Sequence, residues 1–336
     1  MRLGLCCLFR NEGISFRTIT ARTLLALPVG DRPRRLSALC LANAESLLAA
    51  VGAVQRLGIG AFRIMSPLFP RMTHPEVGYQ LADLPDSRRI EDMLREVREW
   101  SLLHDIRLSF HPDQFVVLSS PHPEVVDNSV RELEYQGWLA EKVGADVINI
   151  HVGGVYGDKH EALARFGRVF ASLTERVRKR LTVENDDVSY TVRDLLPLAA
   201  DLSIPLVYDV HHHRCLPDGL SVEEATVLAG ETWRRTGREM YCHISSPRAG
   251  WLGGNPKPHA DFIDPGDLPA CWLQRPMTVD VEAKAKELAV LRLIRDLKGK
   301  AGSDAERGEK REDGRKPGGP LIRNRKAMNG NICEEC

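Results

Sequence analysis

Four short apolar runs of the sequence each finish with a histidine or a glutamate that could bind a metal ion. The runs cover residues 147–151, 181–184, 241–243 and 279–282. In each run a polar residue stands two positions before the last one, giving the pairs Asn149–His151, Thr182–Glu184, Tyr241–His243 and Asp280–Glu282. Residues two apart in a β-strand share one face, so each polar pair points away from the apolar residues beside it. The pattern predicts strands that carry candidate ligands on an inner face.

Ligand-type side chains also stand at the ends of other apolar runs. The set at or near the predicted strand ends is His111, His151, Glu184, Asp209, His243 and Glu282. Three carboxylates in a water-poor site repel one another unless a cation lies among them, and imidazole is a common co-ligand of divalent ions. The set therefore predicts a site of oxygen and nitrogen ligands for Mn²⁺, Mg²⁺, Co²⁺ or Zn²⁺.

The segment after Asp209 contains one further candidate ligand whose identity the sequence does not determine. It reads His211-His212-His213, and any of the three imidazoles could face the metal, because strand alternation does not extend past the strand end. The remaining histidines of the first half of the chain we interpret as loop, surface or capping residues; they are His74, His104, His122 and His160.

The elements that must position these residues follow a repeating pattern: a short apolar run is followed by a polar turn and then by a long amphipathic stretch. The predicted strands are 2–8, 61–66, 107–112, 147–152, 181–185, 205–210, 241–245 and 277–282. The predicted helices are 36–57, 88–104, 123–143, 159–180, 191–202, 222–236 and 283–297. Strands that alternate with helices pair in parallel through right-handed crossovers.

Eight such repeats favour an α/β fold of the TIM type, a closed (β/α)8 barrel, whose strand ends form one rim. An open doubly wound sheet is the alternative, but neither a G-x-G-x-x-G after the first strand nor a phosphate-binding P-loop is present. The chain of 336 residues is long enough for one barrel domain, which we predict over residues 1–298. Residues 299–319 are almost all glycine, charged or small, so we predict a disordered charged tail over residues 299–336.

Composition narrows the class of protein further. The 46 basic residues balance the 46 acidic ones, which does not argue against nucleic acid, because local patches and bound cations set the field at a phosphate. The most apolar segment, 36–57, is interrupted by polar residues, and the amino terminus lacks a secretory pattern. The eight cysteines are scattered and predict reduced thiols. We expect a cytoplasmic monomer that binds neither a membrane nor a nucleotide cofactor.

Several segments, in order along the chain, closely resemble the UV damage endonucleases. They are 108–115 (LSFHPDQF), 148–154 (INIHVGG), 181–186 (LTVEND), 243–247 (HISSP) and 281–287 (VEAKAKE). The resemblance spans roughly residues 1–297. It implies a TIM-type barrel with two or three divalent ions, typically Mn²⁺, and an ATP-independent nuclease acting on damaged double-stranded DNA. Such an enzyme nicks 5′ to a pyrimidine dimer and leaves 3′-hydroxyl and 5′-phosphate ends.

Carried over by position, the resemblance implies a specific set of site residues. The metal ligands would be His111, His151, Glu184, Asp209, His212, His243, His259 and Glu282, with Glu184, Asp209 and Glu282 as the catalytic carboxylates. It selects His212 from the histidine triple and adds His259. Gln114 and Phe115 match the pair with which the family probes the duplex, and Asn11 falls near the family's early asparagine.

Two positions depart from the family pattern. Tyr241 stands where relatives usually carry a lysine, often modified to a carbamate, and alternation points the phenol inward beneath the metal layer. We therefore expect a site without a carbamate oxygen. In the first strand Leu5 follows Gly4 where many relatives have an aromatic residue.

Two other functions fit parts of the pattern. A metal-dependent sugar isomerase or epimerase would explain the inward polar pairs, although it needs no exposed Gln114–Phe115 probe. A damage-binding protein that has lost turnover through the change at Tyr241 would bind irradiated DNA without nicking it. Six basic residues predicted in or near rim loops could follow the DNA backbone; they are Arg63, Arg71, Lys159, Arg214, Arg248 and Lys257.

Overall fold

Eight parallel strands close into a barrel in the computed structural model, which describes the backbone of residues 1–312 and the side chains up to residue 299. The strands are β1 (Arg2–Cys6), β2 (Ala61–Ile64), β3 (Arg107–Phe110), β4 (Val147–His151), β5 (Leu181–Glu184), β6 (Leu206–Asp209), β7 (Met240–Ile244) and β8 (Met277–Val281). Each strand pairs with its sequence neighbour, and β8 pairs with β1. The predicted (β/α)8 barrel is confirmed, and the open-sheet alternative is wrong.

The helices surround this barrel in chain order. They are α1 (Ala21–Leu25), α2 (Arg32–Arg56), α3 (Ser87–Leu103), α4 (Pro123–Val143), α5 (Lys159–Ser172), α6 (Glu175–Arg178), α7 (Val192–Leu202), α8 (Val210–Cys215), α9 (Val222–Arg234) and α10 (Glu287–Glu312). The single helix predicted over 159–180 is wrong, because the chain is extended at Leu173 and Thr174. Leu173 is buried there, and the Glu134 carboxylate accepts hydrogen bonds from the N–H and the hydroxyl of Thr174.

The last helix also differs from its predicted bounds of 283–297. Residues 283–286 form a strap that ends in a hydrogen-bonded turn, with Ala283 and Ala285 buried, and α10 begins only at Glu287. Its backbone continues to Glu312, into the segment predicted to be a disordered tail, since lysine, glutamate, arginine and alanine favour helix. The remainder of that tail, including Cys333 and Cys336, lies outside the described residues. By compactness the chain divides into residues 1–295, which hold the whole barrel, and residues 296–336.

The alternation read from the sequence divides the barrel into an apolar outside and a polar inside. Phe62, Ile150 and Val183 point outward beneath the helices and are at most 1% exposed. The inner face carries a buried polar layer of Ser109, Asn149, Thr182, Tyr241 and Asp280. Inward-facing layers of this kind are expected in a closed barrel, but polar members require hydrogen-bond partners. That layer lies directly below the rim residues.

One helix among the described residues is long and apolar enough to cross a membrane by length and composition. It spans Val29–Arg56, and 56% of its most apolar window is buried. Leu36, Leu39, Leu47 and Val51 are 3% exposed or less. This burial is that of a helix packed into the protein core.

Candidate metal centre

The carboxyl-terminal rim of the barrel brings six of the predicted ligands together. Three overlapping triples each place their ligand atoms within 4.8 Å of one another; they are His111–Glu184–His243, Glu184–Asp209–His212 and Asp209–His243–Glu282. Glu184 and Asp209 are the last residues of β5 and β6, whereas His111 and Glu282 immediately follow β3 and β8. Neighbouring parallel strands thus deliver these side chains to one place, as the sequence predicted.

Glu184 lies at the centre of this group and is 1% exposed. Its Oε2 is 3.1 Å from His111 Nε2, and its Oε1 is 3.0 Å from His243 Nδ1. His212 Nδ1 is 3.3 Å from Oε1, and His151 Nε2 is 3.8 Å from Oε2. Burial alone would raise the pKa of Glu184, but the charges of His243 and His151 hold that pKa well below its ordinary value. The carboxylate therefore stays ionised.

Two of the predicted metal ligands each have a buried polar atom without a hydrogen-bond partner among the described residues. These atoms are Asp209 Oδ2 and His151 Nδ1. The other oxygen of Asp209 accepts the His212 N–H at 2.8 Å, and the Asn185 amide holds the Asp209 backbone through two hydrogen bonds of 2.9 and 3.0 Å. Unpartnered buried polar atoms are rare. A carboxylate oxygen and an imidazole nitrogen are both common ligand atoms for divalent metal ions.

The structure shows which of the three consecutive histidines, His211, His212 and His213, faces the predicted metal site. They lie on α8, where Asp209 caps the first turn. His212 faces Glu184, whereas His213 bonds the Tyr208 hydroxyl at 2.6 Å. His211 Nε2 lies 3.3 Å from the Lys257 carbonyl oxygen. A short helix after the strand thus decides the choice, which strand alternation could not do.

His259 and His151 stand at the edge of the cluster. His259 lies in the long loop between β7 and β8, where an antiparallel bridge joins it to Pro247. Its Nδ1 is 3.8 Å from Glu282 Oε2. Neither His259 nor His151 belongs to the three close triples, so a ligand role for these two residues stays a prediction.

Arg63 is the site residue that sequence reasoning misplaced. It was expected in or near a rim loop, but it lies on β2, points into the barrel and is 7% exposed. Its guanidinium pairs with Asp280 at 2.8 Å and with Glu282 at 2.7 Å, and its Nη2 is 2.8 Å from His243 Nε2. The inward alternation of β2 was the signal that could have placed it. A fixed cation therefore sits among the carboxylates.

The polar layer below the rim orients the ligands above it. Thr182 donates its hydroxyl hydrogen to Asn149 Oδ1 at 2.9 Å, which leaves the Asn149 amide N–H directed at Glu184. Tyr241, predicted to point inward, donates to Asp280 at 2.8 Å and shares a 2.9 Å hydrogen bond with Ser109. The Arg107 guanidinium covers the Tyr241 ring at 4.9 Å. Tyr241 thus supports Asp280 from below and adds no ligand to the rim.

The predicted DNA-contacting residues all lie on exposed rim loops. Phe115 is 76% exposed, and its backbone N–H bonds the Asp113 carboxylate, which shapes the loop after His111. Gln114 beside it is also exposed. Asn11 is exposed in the loop after β1, where the buried Glu287 carboxylate accepts its backbone N–H at 2.6 Å. This exposure excludes a core position for Phe115, and the recognition role stays a prediction.

Comparison with known proteins decides the family. The model of the family described as UV-endonuclease UvdE matches residues 1–306. The chain belongs to this family. The "UV DNA damage endonuclease" of Bacillus velezensis is 33% identical to it over 290 residues, 84% of this chain and 88% of that protein. The "UV-damage endonuclease" of Neurospora crassa is 36% identical over 275 residues, 77% of this chain and 40% of that protein.

One solved structure agrees with the UvdE assignment, and others share the fold. The crystal structure of SacUVDE superposes with a TM-score of 0.78 at 28% identity, covering 89% of this chain and 98% of the other. Endonuclease IV from Thermus thermophilus gives a TM-score of 0.57 at 17% identity, over 89% and 100% of the two chains. An L-ribulose 3-epimerase gives 0.51 at 14%, over 94% and 99%. The last two likenesses show a shared fold alone.

Proposed function

We propose that this UvdE-family protein is a metal-dependent DNA endonuclease that hydrolyses the phosphodiester bond 5′ to a UV photoproduct. The products would carry 3′-hydroxyl and 5′-phosphate ends. The observation that carries the proposal is the rim cluster, in which three carboxylates and three imidazoles place their ligand atoms close together, and in which Asp209 keeps a buried oxygen without a hydrogen-bond partner among the described residues. It lies in the same barrel mouth as the exposed Gln114–Phe115 loop.

The proposed cofactor is a group of two or three divalent ions, with manganese as the expected metal. Three overlapping triples that share Glu184, Asp209 and His243 support more than one ion, and the outer His151 and His259 would complete the set. Bound there, divalent ions would supply Lewis acidity, an activated water and charge neutralisation at the scissile phosphate. Glu184, Asp209 and Glu282 are the carboxylates that would hold them.

The protein's own residues would prepare this site before substrate arrives. The Thr182–Asn149 pair fixes Glu184, Asn185 fixes Asp209, and Arg63 holds Glu282 and Asp280 at fixed positions. Rigid support of ligands from below is what preserves metal affinity in known sites. Arg63 also offsets the negative charge of Glu282 and Asp280 at the base of the site.

Recognition of damage we assign to Gln114, Phe115 and Asn11. A dimer weakens pairing and stacking, so opening the duplex costs less there than elsewhere. An exposed aromatic ring and an amide could fill the gap left by displaced bases. We further propose that the protein acts as a monomer in a reducing cytoplasm; the free cysteines of the described residues agree with that compartment.

The test is nicking of supercoiled plasmid, irradiated or not, by purified protein of measured metal content. We expect nicking of irradiated plasmid that manganese supports and EDTA abolishes, and sequencing-gel products that end 5′ to the dimer. Retardation of irradiated duplex without a nick would favour the damage-binding alternative. Absence of both, with turnover of a ketose or a sugar phosphate, would favour the epimerase alternative.

A further inference from the structure

A cavity of about 490 Å³ opens beside the metal centre, lined by Glu282 and His259 on one side. Three rim segments form its other walls: the end of β1 with Cys6 and Cys7, the loop before His259 with Lys257, and the strap after β8 with Lys284 and Lys286. Ligand pockets commonly have about 300–1,000 Å³. The cavity is therefore large enough for a group of nucleotide size.

Two lysines facing this cavity have no acidic partner in the part of the chain that the structure describes. Arg63 at its base pairs with Glu282, and Lys257 pairs with Asp187 at 3.6 Å. Among the described residues, no carboxylate lies within ion-pair distance of Lys284 or Lys286. The cavity therefore carries an excess of positive charge directly beside the metal ligands.

The strap that holds these lysines is fixed in place. Ala283 and Ala285 are buried, so Lys284 and Lys286 alternate with them toward the open side. Lys284 N–H donates to the Ala260 carbonyl at 3.1 Å, and Ala285 N–H donates to the Asp261 carbonyl at 3.0 Å. Next along the chain, the buried Glu287 accepts N–H groups from the loop after β1. Three rim segments are thus bonded to one another around the cavity.

We propose that this cavity is a phosphate subsite, and that Lys284 and Lys286 bind a backbone phosphate of the DNA strand one or two linkages from the scissile bond. The inference rests on the proposed function, which supplies the DNA strand. Unpaired lysines form phosphate contacts that position a nucleic acid without reading its bases. The subsite would therefore set the register of the strand against the metal centre and leave lesion recognition to other loops.

The experiment compares the variant Lys284→Gln, Lys286→Gln with the wild type on a duplex that carries one thymine dimer. Affinity is measured between 50 and 200 mM salt on the metal-loaded protein, with a 3′-methylene phosphonate at the scissile linkage so that the duplex is not cut. We expect the slope of log K against log salt to fall by about 1, as for the loss of one phosphate contact. The control is Arg178→Gln, Lys179→Gln, which removes two exposed charges next to the start of β5 and should leave the slope unchanged.

Replacing single phosphates by neutral methylphosphonates locates the contact. At one linkage near the scissile bond, methylphosphonate should weaken wild-type binding about tenfold and leave the lysine variant unaffected. A variant that keeps the wild-type slope and the wild-type sensitivity at every linkage would overturn the subsite. Should the double variant not fold, Lys284→Gln alone is tested in the same way, because that side chain is exposed.

Inorganic phosphate distinguishes a DNA phosphate from a free one. If free phosphate raises the melting temperature of the wild type but not of the lysine variant, and no linkage responds to methylphosphonate, the assignment to the DNA strand is wrong. The proposed function is tested apart from this, by the plasmid assay. A wild type that shows the linkage-specific effect but nicks no irradiated plasmid would keep the subsite and refute the nuclease.

Discussion

Glu184 contacts four imidazoles and accepts a hydrogen bond from Asn149. Every close triple except Asp209–His243–Glu282 contains it. We predict that Glu184→Gln, which keeps the volume and removes the charge, lowers the bound metal and reduces nicking of irradiated DNA by orders of magnitude, as expected for loss of metal catalysis. Metal content by mass spectrometry and the plasmid assay measure both effects. Glu96→Gln, on the exposed face of α3, is the matched control; undiminished cutting by metal-quantified Glu184→Gln protein would refute the assignment.

For individual residues of the site, strand alternation was enough to predict some positions and not others. It placed Asn149 beneath His151 and Thr182 beneath Glu184, because residues two apart share a face. It could not choose His212 from its neighbours, since α8 begins at the end of β6. His259 came from the family resemblance alone, because its position depends on a loop bridge to Pro247.

Gly4 shows how two strands approach each other inside the barrel. β1 and β8 pair with Gly4 opposite Asp280, and a Cβ on Gly4 would lie 2.1 Å from Asp280 Oδ1. That carboxylate holds both Tyr241 and Arg63. We predict that Gly4→Ala destabilises the fold by about 1–3 kcal/mol, the usual cost of overpacking, and disturbs the position of Arg63. Chemical denaturation measures the free energy of unfolding.

Gly30→Ala is the control for that prediction. Gly30 has an ordinary backbone conformation, and a Cβ there would meet nothing within 4 Å. The free energy of unfolding of the Gly30→Ala variant should equal that of the wild type or exceed it slightly, because alanine reduces the conformational freedom of the unfolded chain. Equal stability of Gly4→Ala and the wild type would show that Asp280 has another rotamer available.

The loop after His111 is predicted to recognise damaged DNA without contributing to the stability of the barrel. Because Phe115 is 76% exposed, the double change Gln114→Ala, Phe115→Ala should leave the melting temperature and the metal content near those of the wild type. Stacking of a base on an aromatic ring contributes roughly 1–3 kcal/mol. We therefore expect selective binding of irradiated duplex, measured by fluorescence anisotropy, to weaken about ten- to a hundredfold.

Leu103→Ala tests whether any exposed apolar residue has the same effect. Leu103 is 76% exposed at the end of α3, next to the amino-terminal start of β3. Its removal should leave binding of irradiated duplex unchanged. Wild-type binding by the Gln114–Phe115 variant, or unfolding of that variant, would contradict the recognition role.

Elements with strong periodicity were predicted well, and those decided by a few contacts were not. The observed ends of all eight strands and of α4 lie within two residues of the predicted ends. The break between α5 and α6 depends on Glu134 binding Thr174, a contact between distant residues that a local pattern does not contain. For Arg63 the alternation of β2 indicated an inward direction, but its ion pairs with Asp280 and Glu282, on β8 and just beyond it, are contacts between distant residues that a local pattern does not contain.

For the whole molecule, a net charge of zero still allows strong attraction of phosphate at one face. The buried Arg63, the unpaired Lys284 and Lys286 and any divalent ions at the rim would all act at the mouth of the barrel. Interactions at such a site persist at distances below the Debye length of about 8 Å at physiological salt. We therefore expect association with DNA to depend on this local field more than on the overall charge.

The carboxyl-terminal segment supplies the prediction at this largest scale. The last buried side chains in the described part of α10 are Ala289, Val290 and Leu293, and residues 299–319 are nearly devoid of apolar side chains. Deleting residues 299–336 should therefore change the melting temperature by no more than a few degrees, which corresponds to about 1 kcal/mol for a chain of this size, and leave nicking of irradiated plasmid intact. Deleting from Glu287 instead removes those buried residues and the acceptor of the Arg10 and Asn11 N–H groups, so that protein should unfold at much lower temperature. A large loss of stability in the shorter deletion, measured by calorimetry, would show that the tail packs against the barrel.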